Sequence, residues 1–166
     1  MTITLAPVCL EDGPDLIRAN LDSVDFHLPW TQPFTDKKGF TAWYLRCQAE
    51  THVGLVLRER ASGNVAGVVN VSEIVRGAFQ SAYLGYYAMR AAAGRGLMTA
   101  GLRAAVNYAF TTLDLHRVEA NVRPENLPSL ALIQRVGFRK EGYSARYLFL
   151  DGAWRDHERW AICRED

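Results

Sequence analysis

Between the strand-like segment that ends at Met89 and a helical pattern that begins at Leu97, the chain carries few bulky side chains. Ala91, Ala92, Ala93, Gly94 and Gly96 surround one cation, Arg95. A plain strand-to-helix turn needs one glycine, so this bareness asks for a reason. A nucleotide-binding P-loop requires G-x-x-x-x-G-K-[ST]; Gly96 and Gly101 have the spacing, but Leu102 and Arg103 follow, and Gly101 falls inside the helix. A dinucleotide fingerprint requires G-x-G-x-x-G in a parallel architecture, yet Thr99 stands at the third glycine. Two readings remain. One is a tight turn with no ligand. The other is an anion cradle: free N–H groups at a helix start, with the positive end of its dipole, bind phosphate, and small residues let phosphate oxygens reach the amides. Arg95 adds a charge beside them, so the cradle accounts for the bareness and the arginine together.

The remaining reactive side chains are dispersed. His27, His52, His116 and His157 follow no Ser/His/Asp order. Cys9, Cys47 and Cys163 lie far apart with no C-x-x-C, which fits a reduced chain with neither a disulfide framework nor a zinc knuckle, and no metal site is expected. With 166 residues, 49% of them hydrophobic and 22% charged, the chain reads as one globular domain over residues 1–166. A formal net charge of +1 gives no global reason to bind nucleic acid. Its distribution is uneven: Glu11, Asp12, Asp15, Asp22 and Asp25 gather near the start, and Arg135, Arg139, Lys140, Arg146, Arg155 and Arg159 near the end. There is no signal-peptide pattern at the N-terminus, and no apolar run approaches the ~18 residues of a membrane span. A cytoplasmic protein without membrane contact is expected; the oligomeric state stays open.

These groups are positioned by elements that the patterning predicts. "TITLAPV" alternates as a strand, and "EDGPD" opens a helix with Asp12 as its cap. "DSVDFHLPWTQPFTD" has two prolines and no period, and is expected to be a long loop. Thr35 or Asp36 caps a second helix with Phe40, Trp43, Tyr44 and Cys47 on one face. "HVGLVLRE" and "VAGVVNVSEIV" form a hairpin, followed by the strand "SAYLGYYAM". Leu97 to Leu113 is a helix whose buried face is Leu97, Ala100, Gly101, Ala104, Ala105 and Tyr108. "RVEANV" is a strand, "LPSLALIQRV" a short helix ended by Gly137, and "RYLFL" with "AWRDHERWAI" a closing hairpin. Hairpins come first, then one crossover through the small-residue segment. The fold class is α/β: a mixed, mostly antiparallel sheet with one parallel step and helices on both faces.

"GRGLMTAGLRAAVNYAF" after "LGYYAM" resembles motif A of the GNAT acetyltransferases, Q/R-x-x-G-x-G/A. "FHLPW", "VNVSEIVRGAFQSAYLGYY" and "LHRVEANVRPENLPSLALIQRVGFRKEGYSARYLFLDGAWRDH" extend the similarity over nearly the whole chain. They resemble the RimJ/RimL branch, ribosomal-protein alanine N-acetyltransferases, nearest its RimJ members. The resemblance implies a GNAT fold whose fourth and fifth strands, Ser81 to Met89 and Arg117 to Val122, splay apart to admit the arm of acetyl-CoA. It implies that Gly94, Arg95, Gly96, Leu97, Met98 and Thr99 wrap the pyrophosphate. Ala91 stands where Gln or Arg is usual, with Arg90 as a substitute. Backbone N–H groups of Tyr87, Ala88 and Met89 are expected to bind the arm and face the carbonyl; the rings of Tyr86 and Tyr87 are read as strand packing.

Asn126 and Ser129 match the N-x-x-S of the branch. By resemblance, Asn126 contacts the cofactor arm and Ser129 lies near the sulfur. Ile133 occupies the place of the tyrosine acid that many relatives use, which leaves Ser129 as the candidate acid. Asn121 stands where related N-terminal acetylases have a glutamate and is expected to orient a water. Glu119 shares its strand parity and is the carboxylate candidate, and Leu148 stands where another relative has glutamate. Phe26, His27 and Trp30 are expected to line the acceptor pocket, with Asp22 and Asp25 attracting a basic segment or merely facing solvent. The implied reaction is acetyl transfer from acetyl-CoA to the N-terminal amine of a protein, ribosomal by resemblance. The alternatives are transfer to a small-molecule amine such as an amino sugar, polyamine or antibiotic, and a CoA-binding protein without catalysis. An α-amine has a pKa of about 7.7–8.0 against about 10.4 for lysine, so the lack of a strong base favours the α-amine.

Overall fold

The computed structural model describes residues 2–166. Seven strands form one sheet in the order β1-β2-β3-β4-β5-β7-β6. The strands are β1 (Ile3–Pro7), β2 (Val53–Glu59), β3 (Val65–Val75), β4 (Ser81–Ala88), β5 (Arg117–Val122), β6 (Arg139–Leu150) and β7 (Ala153–Cys163). The helices are α1 (Gly13–Leu21), α2 (Val24–His27), α3 (Lys37–Arg46), α4 (Leu97–Thr111) and α5 (Leu127–Val136). β4 and β5 run parallel and the other neighbouring pairs are antiparallel. This is the mixed sheet expected, mostly antiparallel with one parallel step.

Helices cover both faces. α4 and α5 pack on one through Leu102, Ala105, Ala109 and Ile133, against Leu55, Leu57, Val69, Val71 and Val118. α1 and α3 pack on the other through Leu16 and Phe40, against Val56 and Val68. β2 therefore buries Gly54 to Leu57 without a break, as a strand covered on both sides does. Gly101 lets α4 approach β2: a Cβ there would lie 2.5 Å from a Leu57 methyl carbon.

Several local expectations change. The segment around Phe26, expected to be a loop, contains the one-turn helix α2. Asp12 does not cap α1. Its backbone is already helical, and its carboxylate accepts from Cys9 N at 2.9 Å and from Arg58 at 2.7 Å. Asp36 does cap α3, accepting from Gly39 N at 2.7 Å. The buried stripe of α4 is turned toward Met98, Leu102 and Val106, because these aliphatic side chains gain more from burial than the alanines beside them. β6 begins at Arg139, so the closing hairpin is longer than its apolar pattern indicated. Among the described residues no helix is long and apolar enough to cross a membrane.

Candidate active site

β4 and β5 are hydrogen-bonded only from Ser81–Arg117 to Tyr83–Glu119, yet they continue to Ala88 and Val122. Beyond Tyr83 they part. The gap opens a cavity of about 400 Å³ that passes from one face of the sheet to the other. On the α4/α5 side it is lined by Leu84, Tyr86, Met98, Asn126, Ser129 and Leu132. On the opposite side it is lined by Phe26, His27, Trp30, Asn121, Arg123 and His157. The pairing of β3 with β4 decides which backbone groups face the gap. Met89 N–H donates to Ala66 C=O at 2.9 Å, and the register makes Val68–Tyr87 the next hydrogen-bonded pair. Partners alternate along an antiparallel ladder, so the N–H and C=O of Tyr86 and Ala88 point into the gap. Of the three amides expected there, Ala88 faces it, whereas those of Tyr87 and Met89 are turned to β3.

At the gap's rim lies the small-residue loop. Gly94 and Gly96 adopt φ of +71° and +74°, and a Cβ on either would meet nothing within 4 Å. The space above this backbone is open because these residues leave it open. The first backbone bond of α4 runs from Ala100 N–H to Gly96 C=O, so the amides of Leu97, Met98 and Thr99 precede the ladder. This donor set, at the positive end of a fifteen-residue helix, fits a pyrophosphate. Arg95 is ion-paired with Glu59 at the end of β2. The pair faces water, which screens it, so it is easily exchanged for a phosphate contact. Arg90 lies over the Phe26 ring at 5.9 Å, turned to α2. Arg135 reaches Thr99 Oγ1 at 3.4 Å from α5 and brings a cation to the rim that sequence reasoning did not assign.

Within the gap, Tyr86 and Ser129 share a hydrogen bond of 2.8 Å between their hydroxyls. The Asn126 carbonyl oxygen accepts from Ser129 N–H at 3.2 Å and caps α5, which leaves its amide N–H groups to turn to the cavity. Burial pushes the Tyr86 phenol up to about 12, and the Ser129 bond pulls it back only in part. It is therefore a protonated donor at neutral pH. The ring expected to be mere strand packing thus carries a hydroxyl into the site. Ile133, in the position of the relatives' tyrosine, is fully buried.

The opposite wall is built differently. Asn121 Oδ1 is buried with no partner, an acceptor waiting for a donor. Glu119 is not part of the wall: Arg117 Nε donates to it at 2.9 Å, and Arg117 also pairs with Glu141. That placement argues against the catalytic role expected for it. His27 is 4% exposed and its Nε2 lies 2.9 Å from Ala88 C=O, which makes Nε2 the protonated nitrogen; its Nδ1 is sealed without a partner. Burial pushes its pKa below the ordinary value. Arg123 stacks on Trp30 at 5.2 Å, with Glu125 and Asp151 only at 3.5 and 4.0 Å, and its buried Nε has no hydrogen bond. His157 completes the wall, only 2% exposed.

A family model described as acetyltransferase (GNAT) domain matches residues 2–139. The probable N-acetyltransferase YjcK of Bacillus subtilis is 31% identical, the alignment covering 99% of this chain and 96% of that protein. The ribosomal protein uS5-alanine N-acetyltransferase of Escherichia coli is 45% identical over 102 residues, 61% of this chain and 53% of that protein. Mycobacterium smegmatis RimJ, solved in complex with CoA-disulfide, superposes with a TM-score of 0.87 at 34% identity, covering 98% of this chain and 82% of that one. Spermidine N(1)-acetyltransferases are also similar, so similarity alone leaves both a protein terminus and a polyamine as acceptors. The chain belongs to the GNAT acetyltransferase family, within its RimJ/RimL branch.

Proposed function

We propose that the protein acetylates the N-terminal α-amine of a protein chain, a ribosomal protein by similarity to the Escherichia coli enzyme, by direct transfer from acetyl-CoA. As a GNAT acetyltransferase it uses acetyl-CoA, which supplies an activated acetyl group on sulfur. The residues that would hold it are the rim amides of Gly94 to Thr99, with Arg95 and Arg135, and the gap-facing backbone of Tyr86 and Ala88. Ser129, backed by Tyr86, donates a proton on the α4/α5 side. Asn121 Oδ1 accepts from the acceptor amine on the other side and orients its lone pair toward the gap.

The observation that carries the choice of acceptor is the charge of the opposite wall. No carboxylate lines the cavity among the described residues, and Arg123, underpaired, does. A polyamine brings several positive charges and would meet this cation, whose own carboxylate neighbours, Glu125 and Asp151, stand outside the cavity lining. A peptide N-terminus brings one amine, neutral in a useful fraction near pH 7.5, and a backbone carbonyl that the Arg123 guanidinium can bind. Free cysteines and the family's cofactor suit the cytoplasm. The test is thiol release from acetyl-CoA with peptides beginning in Ala or Ser, spermidine and an amino sugar. Peptides are expected to lead in kcat/KM by at least tenfold; preference for spermidine or the sugar overturns the proposal.

A further inference from the structure

The mechanism above lacks a group that takes the acceptor's proton. Asn121 is not basic, Glu119 lies outside the cavity, and Leu148 offers no acceptor. Two histidines line the wall, and their hydrogen bonds separate them. His27 is spent on both edges: Nε2 is bonded to Ala88 C=O, and Nδ1 is sealed away from solvent. His157 is arranged the other way. Its Nδ1 lies 3.0 Å from Arg155 C=O, an acceptor, so the proton sits on Nδ1 and the lone pair on Nε2. Nε2 has no protein partner among the described residues, and it is not among the sealed polar atoms of the wall, so it keeps access to the cavity. β7 lies beside β5, with Asn121 opposite Arg159, which brings His157 to the same side of the gap as Asn121.

From this geometry we infer that His157 is the general base of the reaction, receiving the acceptor amine's proton on Nε2. The inference rests on the acetyl-transfer reading of the cavity but not on which amine enters. The acceptor nitrogen's lone pair forms the bond to the acetyl carbon while the carbon–sulfur pair leaves with sulfur. The nitrogen's proton passes to Nε2, and the sulfur receives its proton from the Ser129 hydroxyl, replenished through Tyr86 or water. His157 is neutral when the amine arrives. Burial pushes its pKa below the ordinary histidine value, and Arg123 pushes the same way; the Arg155 carbonyl, Glu125 and Asp156 oppose them without reversing the shift, and the Tyr147 ring packs against the imidazole at 6.1 Å. A weak base suffices, because an amine nitrogen that is bonding to carbon becomes far more acidic than a free ammonium.

Two measurements test it. In the wild-type protein, nitrogen NMR of the histidines is expected to show His157 as the Nδ1–H tautomer, neutral at pH 7; an Nε2–H tautomer or a protonated ring at pH 7 overturns the base. In kinetics with the best acceptor of the panel, log kcat/KM is expected to rise with a slope of two below the pKa measured for His157, then one, then level above the amine's pKa. His157→Gln is expected to lose about a hundredfold in kcat/KM, the low end of general-base effects, and to show a slope of one up to the amine's pKa, then level. Its CoA affinity is expected within a few-fold of wild type, and His116→Gln, at an exposed pair with Glu165, is expected to be unchanged. Full activity in His157→Gln, or a wild-type slope that stays at one through the measured pKa, overturns the inference. If His157→Gln does not fold, the wild-type tautomer and slope decide alone. If no amine at all is acetylated, it is the proposed function that has failed, and the tautomer still decides whether His157 has the lone pair in place.

Discussion

Gly96 offers a way to test the cradle by charge alone. Its φ of +74° costs any L-residue about 1–2 kcal/mol, although Asn and Asp tolerate this conformation better than most. Space is no obstacle, since nothing lies within 4 Å of the added Cβ. Gly96→Asn and Gly96→Asp therefore share nearly the same strain and bulk, and both are expected to fold with slightly lowered thermal midpoints. They differ by one negative charge at the mouth of an anion site. A carboxylate held about 5 Å from a single phosphate charge, at an effective dielectric near 20, is repelled by roughly 3 kcal/mol. Each 1.4 kcal/mol is about tenfold, so the Asp variant should bind CoA on the order of a hundredfold more weakly than the Asn variant. Calorimetric titration with CoA reads this directly, and the gap should narrow in high salt. If the two variants bind CoA within fivefold of each other, the phosphate does not lie over this backbone, and the loop is a turn without a ligand.

The hydroxyl pair predicts that Ser129→Ala lowers kcat by roughly a hundredfold with CoA affinity nearly kept, because the proton is needed only as thiolate character develops. Tyr86→Phe should lower kcat less, since water can replace the relay, while Glu119→Gln should leave kcat within threefold; steady-state kinetics with a fixed peptide checks all three, and the reverse ranking would move the proton route to β5. Arg123→Glu should raise KM for peptides at least tenfold and improve spermidine turnover, and unchanged selectivity would remove Arg123 from acceptor recognition. His27 and His157 both have folded pKa values below the unfolded one, so the unfolded chain binds more protons as pH falls. Stability should therefore be in full above about pH 6.5 and decline as pH drops toward their folded values; a thermal midpoint that is flat from pH 7 to 5.5 would contradict their burial as neutral rings.

What was readable in the chain divides by how local its cause is. The bare loop, the strand before it and the helix after it are set by neighbouring residues, and the backbone angles at Gly94 and Gly96 agree with the need for small residues there. The N-cap at Asp36 is equally local. The opposite wall is not. His157 shares the face and cavity of Asn121 only because β7 inserts between β5 and β6, and a closing hairpin read along the chain does not say which of its strands pairs with β5. The same holds for Tyr86. Its parity with Leu84 places the ring on the α5 side, but only the seating of α5 against the parted strands brings Ser129 within 2.8 Å. Glu119 shows the converse error: parity put it beside Asn121, but β4 still pairs with β5 at that level, opposite Tyr83, so the gap has not yet opened and Arg117 takes the carboxylate. The point at which the two strands separate thus decides which residues of each face an empty cavity and which face a neighbour. One strand step, two residues along β5, turns a salt-bridged carboxylate into an unpartnered amide oxygen.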